Sequence, residues 1–486
     1  MISRSPIIGA VLGLLASSAL TGCLVGPRYQ RPSPPMSPTF KEAARQAGAW
    51  SPATPSDAAD RKDWWTVFAD PTLDDLEARV SVSNQTLAGA EAAYRQARAL
   101  VAQDRAALFP TVSLGASASA ARSGGSAFST NGVTTPTAGT VRSTYQPSIG
   151  ATWAPDIWGA VRRTVEGARA DAQASAATLA NAQLSAQTEM AVDYVQLREY
   201  DEQSRLFENT AKAYGRTLKI AQNKYNAGVV AKGDVLTAQS QYQSAEANVL
   251  VVARQRAVTE HAIAILAGQT PESLTLPVAP WNLALPRIPA TVPSALLQRR
   301  PDIANGERLM AAANARVGVQ TAAYYPNLSL TSQGGLSSSS LGNLFAASSS
   351  FWSVGASLAE TVLDFGARRA RVAQARAAYD QAVANYRQTV LTAFGQVEDN
   401  LSAQRILATE EALTKAAADS ATQGETITRN QYAAGTIDFT SVAVAETNAN
   451  NARNTQLSVQ AQRLTAAIDL IEALGGGWTT DDLPKG

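Results

Sequence analysis

The chain has 486 residues, room for two or three ordinary domains, and its 41 basic and 40 acidic side chains nearly cancel. This balance excludes the basic footprint of a nucleic-acid-binding protein. No P-loop, GxSxG, zinc-ligand spacing or GxGxxG fingerprint occurs, and the single histidine, His261, is interpreted as structural. The sequence therefore predicts no enzyme, no metal site and no bound cofactor.

The first 22 residues have the features of a secretory signal, with Arg4 before the apolar segment from Ile7 to Ala16. Cys23 follows them and is the only cysteine, so no internal disulfide can form. No later run of about 18 apolar residues is long enough for a membrane-spanning helix. Residues 20–23, Leu-Thr-Gly-Cys, resemble the bacterial lipobox, which implies a covalent lipid such as palmitate on Cys23. Leu24 after it, instead of Asp, implies retention in the outer membrane; an incidental cysteine in a cleaved signal is the alternative.

The mature chain is predicted to begin with a tether rich in proline, serine and alanine (23–70) and to continue as two repeats, 71–275 and 301–478, joined by a connector (276–300). Each repeat is predicted to contain a helix, a β-hairpin, a long helix and a return helix. The predicted ranges in the first repeat are 111–155 for the hairpin, 159–226 for the long helix and 234–267 for the return helix. In the second repeat they are 327–363, 366–432 and 440–474, before a tail at 479–486.

Two kinds of periodicity support these ranges. The two long-helix segments lack proline and are rich in residues that lose little side-chain freedom in a helix. From Thr111 to Ala120 and from Thr144 to Trp153, apolar and small polar residues alternate with the period of a strand. Each strand has about ten residues, the length of a tilted membrane strand. Pro147 argues against a regular central strand, because it cannot donate to a ladder.

The recurrence of the same order is the strongest signal in the sequence. A helix stopped by Pro110 corresponds to one stopped by Pro326, and residues 156–159 (Asp-Ile-Trp-Gly) correspond to 364–366 (Asp-Phe-Gly). The turn at 225–228 matches the turn at 432–435. Four such strands cannot close a barrel that encloses anything, and open edges are not tolerated in hydrocarbon. Several copies of the chain are therefore expected to share one sheet.

Taken together, the lipobox, the duplicated unit, the paired turns and the ending Leu-Gly-Gly-Gly-Trp (474–478) resemble the TolC-like outer-membrane efflux channels, most closely the NodT-type lipoproteins. The resemblance covers nearly the whole mature chain. It implies a homotrimer with a twelve-strand barrel in the outer membrane of a Gram-negative bacterium and a helical tunnel across the periplasm. It also implies a periplasmic adaptor and an inner-membrane pump, often of the resistance-nodulation-division type.

By the same resemblance, the turns near Tyr225 and Gly228 and near Tyr432 and Gly435 are periplasmic tips where the tunnel narrows and the adaptor docks. The family's gate carboxylates correspond in this chain to Asp234, Ser441 and Val444, of which only the first is acidic. Glu446 is the nearest later carboxylate. The departure at Ser441 and Val444 predicts a constriction that is more apolar or depends on Asp234, whose alternative role is a helix N-cap.

The strand-to-helix corners are the remaining predicted sites, with Asp156 and Gly159 in the first repeat and Asp364 and Gly366 in the second. Aromatic residues near the strand ends are expected to form an interfacial belt: Tyr145, Trp153, Trp158, Trp352 and Phe365. Ordinary packing is the alternative for Trp158 and Phe365, which lie at the strand-to-helix corners.

Three functions are compatible with this sequence. The first is a passive conduit for the efflux of small molecules. The second is a type I secretion channel for polypeptides, which the lipobox and the glycine-rich ending favour less. The third is a periplasmic coiled-coil scaffold lipoprotein without a pore.

Overall fold

The computed structural model of the protein describes residues 24–31, 40–42, 63–124, 127–130, 133–136, 141–286, 299–476 and 478. The signal, Cys23, much of the predicted tether, part of the connector and the tail at 479–486 lie outside these described residues.

Helices and strands occur twice in the same order along the described chain. The first repeat contains α1 (Pro71–Ser83), α2 (Gln85–Ala106), β1 (Thr111–Arg122), β2 (Ala127–Thr130), β3 (Val133–Pro136), β4 (Val141–Trp153), α3 (Ala160–Asn226) and α4 (Lys232–Leu266). The second contains α5 (Pro301–Ala322), β5 (Asn327–Leu336), β6 (Ser350–Ala359), α6 (Ala367–Ala433) and α7 (Phe439–Ala473). None of the described helices combines the length and apolarity required to cross a membrane.

The corresponding long helices have equal lengths in the two repeats. Helices α3 and α6 each have 67 residues, and α4 and α7 each have 35. At about 1.5 Å per residue, α3 and α6 are each roughly 100 Å long. Helices of this length are not stable through propensity alone and need packing partners along their sides.

The first helix of the chain is interrupted, whereas the sequence predicted one continuous helix before Pro110. The break lies at Asn84, between α1 and α2. The side-chain oxygen of Asn84 accepts hydrogen bonds from the backbone amides of Thr86 (2.9 Å) and Leu87 (3.1 Å), and its amide donates to the carbonyl of Leu266 at 2.9 Å. Capping thus outweighs continuation of the helix at this residue.

The chain divides into two compact units, of which the first comprises Met1–Pro32, Arg95–Ala172 and Arg308–Ala384. Its sheet has the strand order β1-β4-β5-β6, with each neighbouring pair antiparallel. Strands β2 and β3 form a separate two-stranded sheet. Among the described residues, β1 and β6 are each paired along one side only.

The register gives the four-stranded sheet one apolar face. Leu114 is paired with Ile149, Ile149 with Gly334, and Gly334 with Trp352. Leu114 is 85 % exposed and Trp352 is 82 % exposed. The alternate residues on the other face are mostly serine, threonine, glycine and glutamine. The apolar face is not covered by any described element of the chain, which is unusual for a protein surrounded by water.

Pro147 does lie in a central strand, and it interrupts the ladder there. Pairing between β4 and β5 ends at Ser148, opposite Gly335. An isolated bridge in the same register follows between Tyr145 and Ser338, with amide-to-carbonyl distances of 2.9 and 3.1 Å. The missing N–H of Pro147 accounts for the gap between these two pairings.

The second unit comprises Ser33–Tyr94, Gln173–Glu307 and Asn385–Gly486. Its largest apolar cluster joins Trp64, Trp65 and Phe68 to buried residues of α1, α3 and α4. Within it, the hydroxyl of Tyr194 donates to Asp70 at 2.6 Å, and burial together with this bond raises the pKa of Tyr194 to about 12.

An ion network holds the segment after α4 against its helices. Arg198 and Arg256 both contact the fully buried Asp201, at 2.6 and 2.7 Å. Arg256 also donates to Glu260 (3.1 Å) and to the carbonyl of Leu276 (2.7 Å). Because each charge has an opposite partner and further hydrogen bonds, the cost of burying the network is offset.

Glu77 on α1 is a carboxyl group buried without such compensation. Glu77 is 0 % exposed, and neither of its carboxyl oxygens has a hydrogen-bond partner among the described residues. Burial, reinforced by nearby Asp74, raises the pKa of Glu77 to about 9. The folded protein therefore binds a proton at Glu77 at neutral pH, whereas the unfolded chain releases it.

This difference predicts that the free energy of unfolding falls as the pH rises from 4.5 towards 9, with a slope of up to ~1.4 kcal/mol per pH unit. Glu77→Gln should remove this slope and raise the free energy of unfolding at pH 8 by roughly 2–5 kcal/mol. Thermal or urea unfolding followed by helical circular dichroism measures both effects. Asp75→Asn, at an exposed ion pair with Arg79, is the matched control and should change little. An unaltered pH profile in Glu77→Gln would contradict this assignment.

Candidate functional site

Both predicted tip turns have the same hydrogen-bonding pattern. After α3, the amide of Gly228 donates to the carbonyl of Tyr225 (2.9 Å) and that of Val229 to Lys224 (2.9 Å). After α6, Gly435 donates to Tyr432 (3.0 Å) and Thr436 to Gln431 (3.0 Å). Gly228 and Gly435 have φ values of 70° and 76°, so each helix ends with a left-handed residue that glycine adopts without steric cost.

The structure brings the two tip turns together. The ammonium of Lys224 lies 4.0 Å from the centre of the Tyr432 ring, and Tyr432 also meets Phe439 edge-on at 5.8 Å. Buried residues of α3, α4 and α7 form an apolar cluster around them: Ala221, Ala238, Phe439, Val442 and Ala443. Tyr225, in contrast, is 42 % exposed. The two corresponding tyrosines therefore differ, one packing between the turns and the other facing outward.

Asp234 is not a helix N-cap, so that alternative role is wrong. Helix α4 begins at Lys232, its N-cap is Ala231, and no side chain caps it. Asp234 lies within the first turn, half-buried, where a carboxylate is favoured by the helix dipole. The equivalent helix α7 does have a side-chain cap: Asp438 accepts from the amide (2.9 Å) and the hydroxyl (2.7 Å) of Ser441. These bonds lower the pKa of Asp438.

Of the three predicted positions at the start of α7, Ser441 and Val444 share one face of the helix, and Glu446 lies on the opposite face. Ser441 and Val444 are exposed, whereas Glu446 is buried, at 3 % exposure. The prediction that the Glu446 carboxylate is exposed at the gate is therefore wrong for the single chain, because this side chain faces the neighbouring helix. Glu446 lies nearly half a turn from the exposed face of Ser441 and Val444, which places it against the neighbouring helix.

Glu446 is instead part of an ion network between α6 and α7. Its carboxylate accepts from Arg429 at 2.8 Å, Arg429 also contacts Glu425 at 2.7 Å, and Glu425 contacts Arg453 at 2.7 Å. Burial raises the pKa of Glu446, and Arg429 opposes this shift. Sequence reasoning missed Arg429 and Asp438. The pattern Asp438-x-x-Ser441 before an apolar run is a recognisable helix start, but the pairing of Arg429 needs the helix–helix register.

Both predicted strand-to-helix corners contain an aspartate that accepts hydrogen bonds from backbone amides and from an arginine side chain. At the first, Asp156 accepts from the backbone amides of Val161 (3.0 Å) and Arg162 (2.9 Å) and pairs with the Arg162 guanidinium at 3.1 Å. At the second, Asp364 accepts from the amides of Gly366 and Arg368, each at 3.0 Å, and pairs with the Arg368 guanidinium at 2.8 Å. Each carboxylate thus binds the free amides at the N-terminus of a long helix.

The first corner is also covered by the segment that follows Cys23. The amide of Val25 donates to the carbonyl of Trp158 at 3.2 Å, and Asn314 donates to the carbonyl of Pro27 at 3.1 Å. Gly159 has φ 81°, and a Cβ there would lie 2.7 Å from the side chain of Leu24. Gly159 therefore permits both the turn and the close approach of this segment.

The aromatic residues at the corners behave in two ways. Trp158 stacks on Tyr325, with ring centres 4.8 Å apart, and its indole nitrogen donates to Pro326 at 2.8 Å, so it packs internally. Trp153 donates to the carbonyl of Leu108 at 3.0 Å. Phe365 and Trp352 are 93 % and 82 % exposed. No group of three or more histidine, cysteine or acidic side chains among the described residues is arranged to hold a metal ion.

Comparison with known proteins agrees with this architecture. Residues 78–269 and 292–476 match the family model described as outer membrane efflux protein. The chain therefore belongs to the outer membrane efflux protein family. This match confirms the TolC-like class, the duplicated fold and the outer-membrane location inferred from the sequence.

Relatives over nearly the whole length support the same assignment. The toluene efflux pump outer membrane protein TtgC of Pseudomonas putida is 28 % identical over 94 % of this chain and 93 % of its own. The pyoverdine export outer membrane protein OpmQ of Pseudomonas aeruginosa is 27 % identical over 88 % and 90 %. The solved structure of the outer-membrane channel OprN is 29 % identical in sequence and superposes with a TM-score of 0.83. The alignment covers 94 % of this chain and 100 % of the OprN chain.

The ion network between α6 and α7 predicts unequal effects for its two partners. Arg429→Gln leaves the Glu446 carboxylate buried without its cation and should destabilise the tip by about 1–3 kcal/mol, whereas Glu446→Gln should cost less. Hydrogen exchange of residues 425–446 measures this local loss. Lys415→Gln, at an exposed ion pair with Asp419 on the same helix, is the control. Equal exchange rates in Arg429→Gln and the control would contradict the prediction.

Proposed function

We propose that the protein is the outer-membrane channel of a tripartite efflux system, a passive homotrimeric conduit that carries small molecules to the exterior. The observation that carries this proposal is the four-stranded sheet, which has one apolar face and two edges that no described strand pairs, in a member of the outer membrane efflux protein family. Strands with lipid on one face need partners at every edge, and further copies of the chain supply them.

The proposed partners follow from the same class of protein. A periplasmic adaptor would hold the tips, and an inner-membrane pump, of the resistance-nodulation-division type, would supply the energy. Small molecules are favoured over polypeptides as cargo because relatives along almost the whole chain are named for the export of toluene and pyoverdine. The chain itself needs no catalytic group for this role.

The proposed lipid on Cys23 fits the structure of the residues that follow it. Leu24, which is bonded to Cys23, lies beside Gly159, in the corner between β4 and α3. A lipid attached one residue earlier would thus start near the corner that joins a proposed membrane strand to a long helix. The lipid supplements the sheet, because one or two acyl chains alone give marginal membrane binding.

The proposed gate uses the tips and depends on Asp234 and on the exposed residues Ser441 and Val444. The burial of Glu446 supports a constriction with fewer carboxylates in the second repeat than in the first. Asp234 has no capping bond to lose. Its removal therefore changes the charge of the tip without removing a helix cap.

A planar lipid bilayer tests the channel. The purified protein should form discrete conductance steps and migrate as a heat-sensitive trimer in detergent gels. Asp234→Ala should raise the conductance of the resting channel and the leak of dye into cells that lack the pump, because a negative charge at the constriction is lost. Glu246→Gln, on the exposed part of the same helix, is the control. Absence of conductance would contradict the channel, and unchanged conductance in Asp234→Ala would contradict this gate alone.

Metabolic labelling with fatty acid tests the lipid. Cys23→Ala should abolish incorporation of the label, because no other cysteine exists in the chain. Leu24→Ala, which keeps the cysteine, should still be labelled. We expect trimers to survive in Cys23→Ala, since the sheet provides most of the membrane contact. Label retained in Cys23→Ala would refute the assignment.

A further inference from the structure

Two exposed phenylalanines flank the open edges of the sheet. Phe109 precedes β1 and is 63 % exposed, and Phe365 follows β6 and is 93 % exposed. The pairings of Thr111 with Thr152 and of Asn327 with Ala359 place the start of β1 and the end of β6 at the same end of the sheet. Both residues therefore belong to corners at that end of the sheet, Phe109 before β1 and Phe365 after β6.

The internal duplication provides an example in which the two equivalent aromatic residues are in contact within one chain. Trp158 immediately precedes Gly159, as Phe365 precedes Gly366, and Tyr325 immediately precedes Pro326, as Phe109 precedes Pro110. Trp158 and Tyr325 are stacked with an interplanar angle of 25°. This contact joins the corner after β4 to the corner before β5, and β4 and β5 are neighbours in the sheet.

Continuing the sheet extends this contact to another copy. Strands β1, β4, β5 and β6 alternate in direction, so a β1 strand of a second copy fits beside β6 in the same antiparallel pattern. The corner after β6 then meets the corner before β1 of that copy. We propose that Phe365 of one copy stacks on Phe109 of the next, repeating between subunits the contact that Trp158 and Tyr325 make within one. This inference rests on the homotrimer of the proposed function and adds its aromatic seam.

The conformation of the corner after β6 leaves the ring of Phe365 exposed. Phe365 has φ 51°, a conformation that is rare for a bulky side chain and that commonly marks a functional constraint. Asp364 fixes this turn through its bonds to Gly366 and Arg368. Val362 and Leu363 beside it are 91 % and 70 % exposed. In the first repeat, Trp158 is covered by Tyr325 and by the segment after Cys23; no described residue covers Phe365 in the same way.

Chemical crosslinking in the native membrane tests the seam. The double variant Phe109→Cys/Phe365→Cys, treated with a bifunctional thiol reagent with a short spacer, should give covalent dimers and closed trimers. Each single-cysteine variant should give neither, which also controls for Cys23. The matched pair Trp158→Cys/Tyr325→Cys should consume its thiols at the mass of a single chain, because that contact is internal.

A double-mutant cycle supports the crosslinking without new thiols. Phe365→Ala should lower the temperature at which the trimer dissociates, Phe365→Trp should preserve it, and Phe365→Ala should add nothing in the Phe109→Ala background. Phe345→Ala, at an exposed loop residue of the same unit, is the control. If the trimer is intact but does not crosslink at positions 109 and 365, the proposed contact between Phe365 and Phe109 is wrong, and Phe365 would contact lipid instead. The proposed channel function would not be contradicted by that result. A protein that never forms trimers would overturn both.

Discussion

The unpaired edges of the sheet are the constraint on which the rest of the structure depends. Within the described chain, β1 and β6 each have a partner on one side only, and the face they share with β4 and β5 is apolar and exposed. An unpaired backbone group in hydrocarbon costs several kcal/mol. A family member whose sheet lies in the outer membrane therefore cannot function as a single chain. Helix α2 points to the same conclusion, since Leu87 is the only residue along it that is buried.

Duplication gives the chain two versions of the tip turn and of the strand-to-helix corner, and the two versions differ in their side chains. Both tip turns retain the same backbone bonds, yet the carboxylate near the first is Asp234, on a partly open helix turn, while Glu446 near the second is buried against Arg429. Both corners retain an aspartate that binds helix amides, yet one is covered by the chain's own N-terminal segment and the other is open. The two copies of each feature share their backbone geometry. Their side chains differ, and this difference decides whether the feature is buried within the chain or exposed.

Much of this architecture could be predicted because it depends on periodicity and on proline and glycine. The alternation in β1 and β4, the stops at Pro110 and Pro326, and the turns at Gly228 and Gly435 all follow from backbone restrictions that each residue carries with it. The recurrence of the same landmarks in the same order indicates the order of the elements without knowledge of contacts.

What could not be predicted depends on competition between nearly equal alternatives. Asn84 stops a helix because its side chain finds two amides and the distant carbonyl of Leu266. Glu446 is buried because it lies on the face of α7 that packs against α6, opposite Arg429, and the helix–helix register is not revealed by sequence spacing alone. The exposure of Phe365, in contrast to the stacked Trp158, is decided by which corner has a neighbour within the same chain.

The mass of the protein purified from membranes in mild detergent, determined by native mass spectrometry, tests the central claim most directly. The edges of β1 and β6 that no described strand pairs predict a single species with the mass of three chains at concentrations well below those used for crystallisation. A stable species with the mass of one chain, its sheet still folded, would show that the edges are satisfied without other copies and would contradict this account.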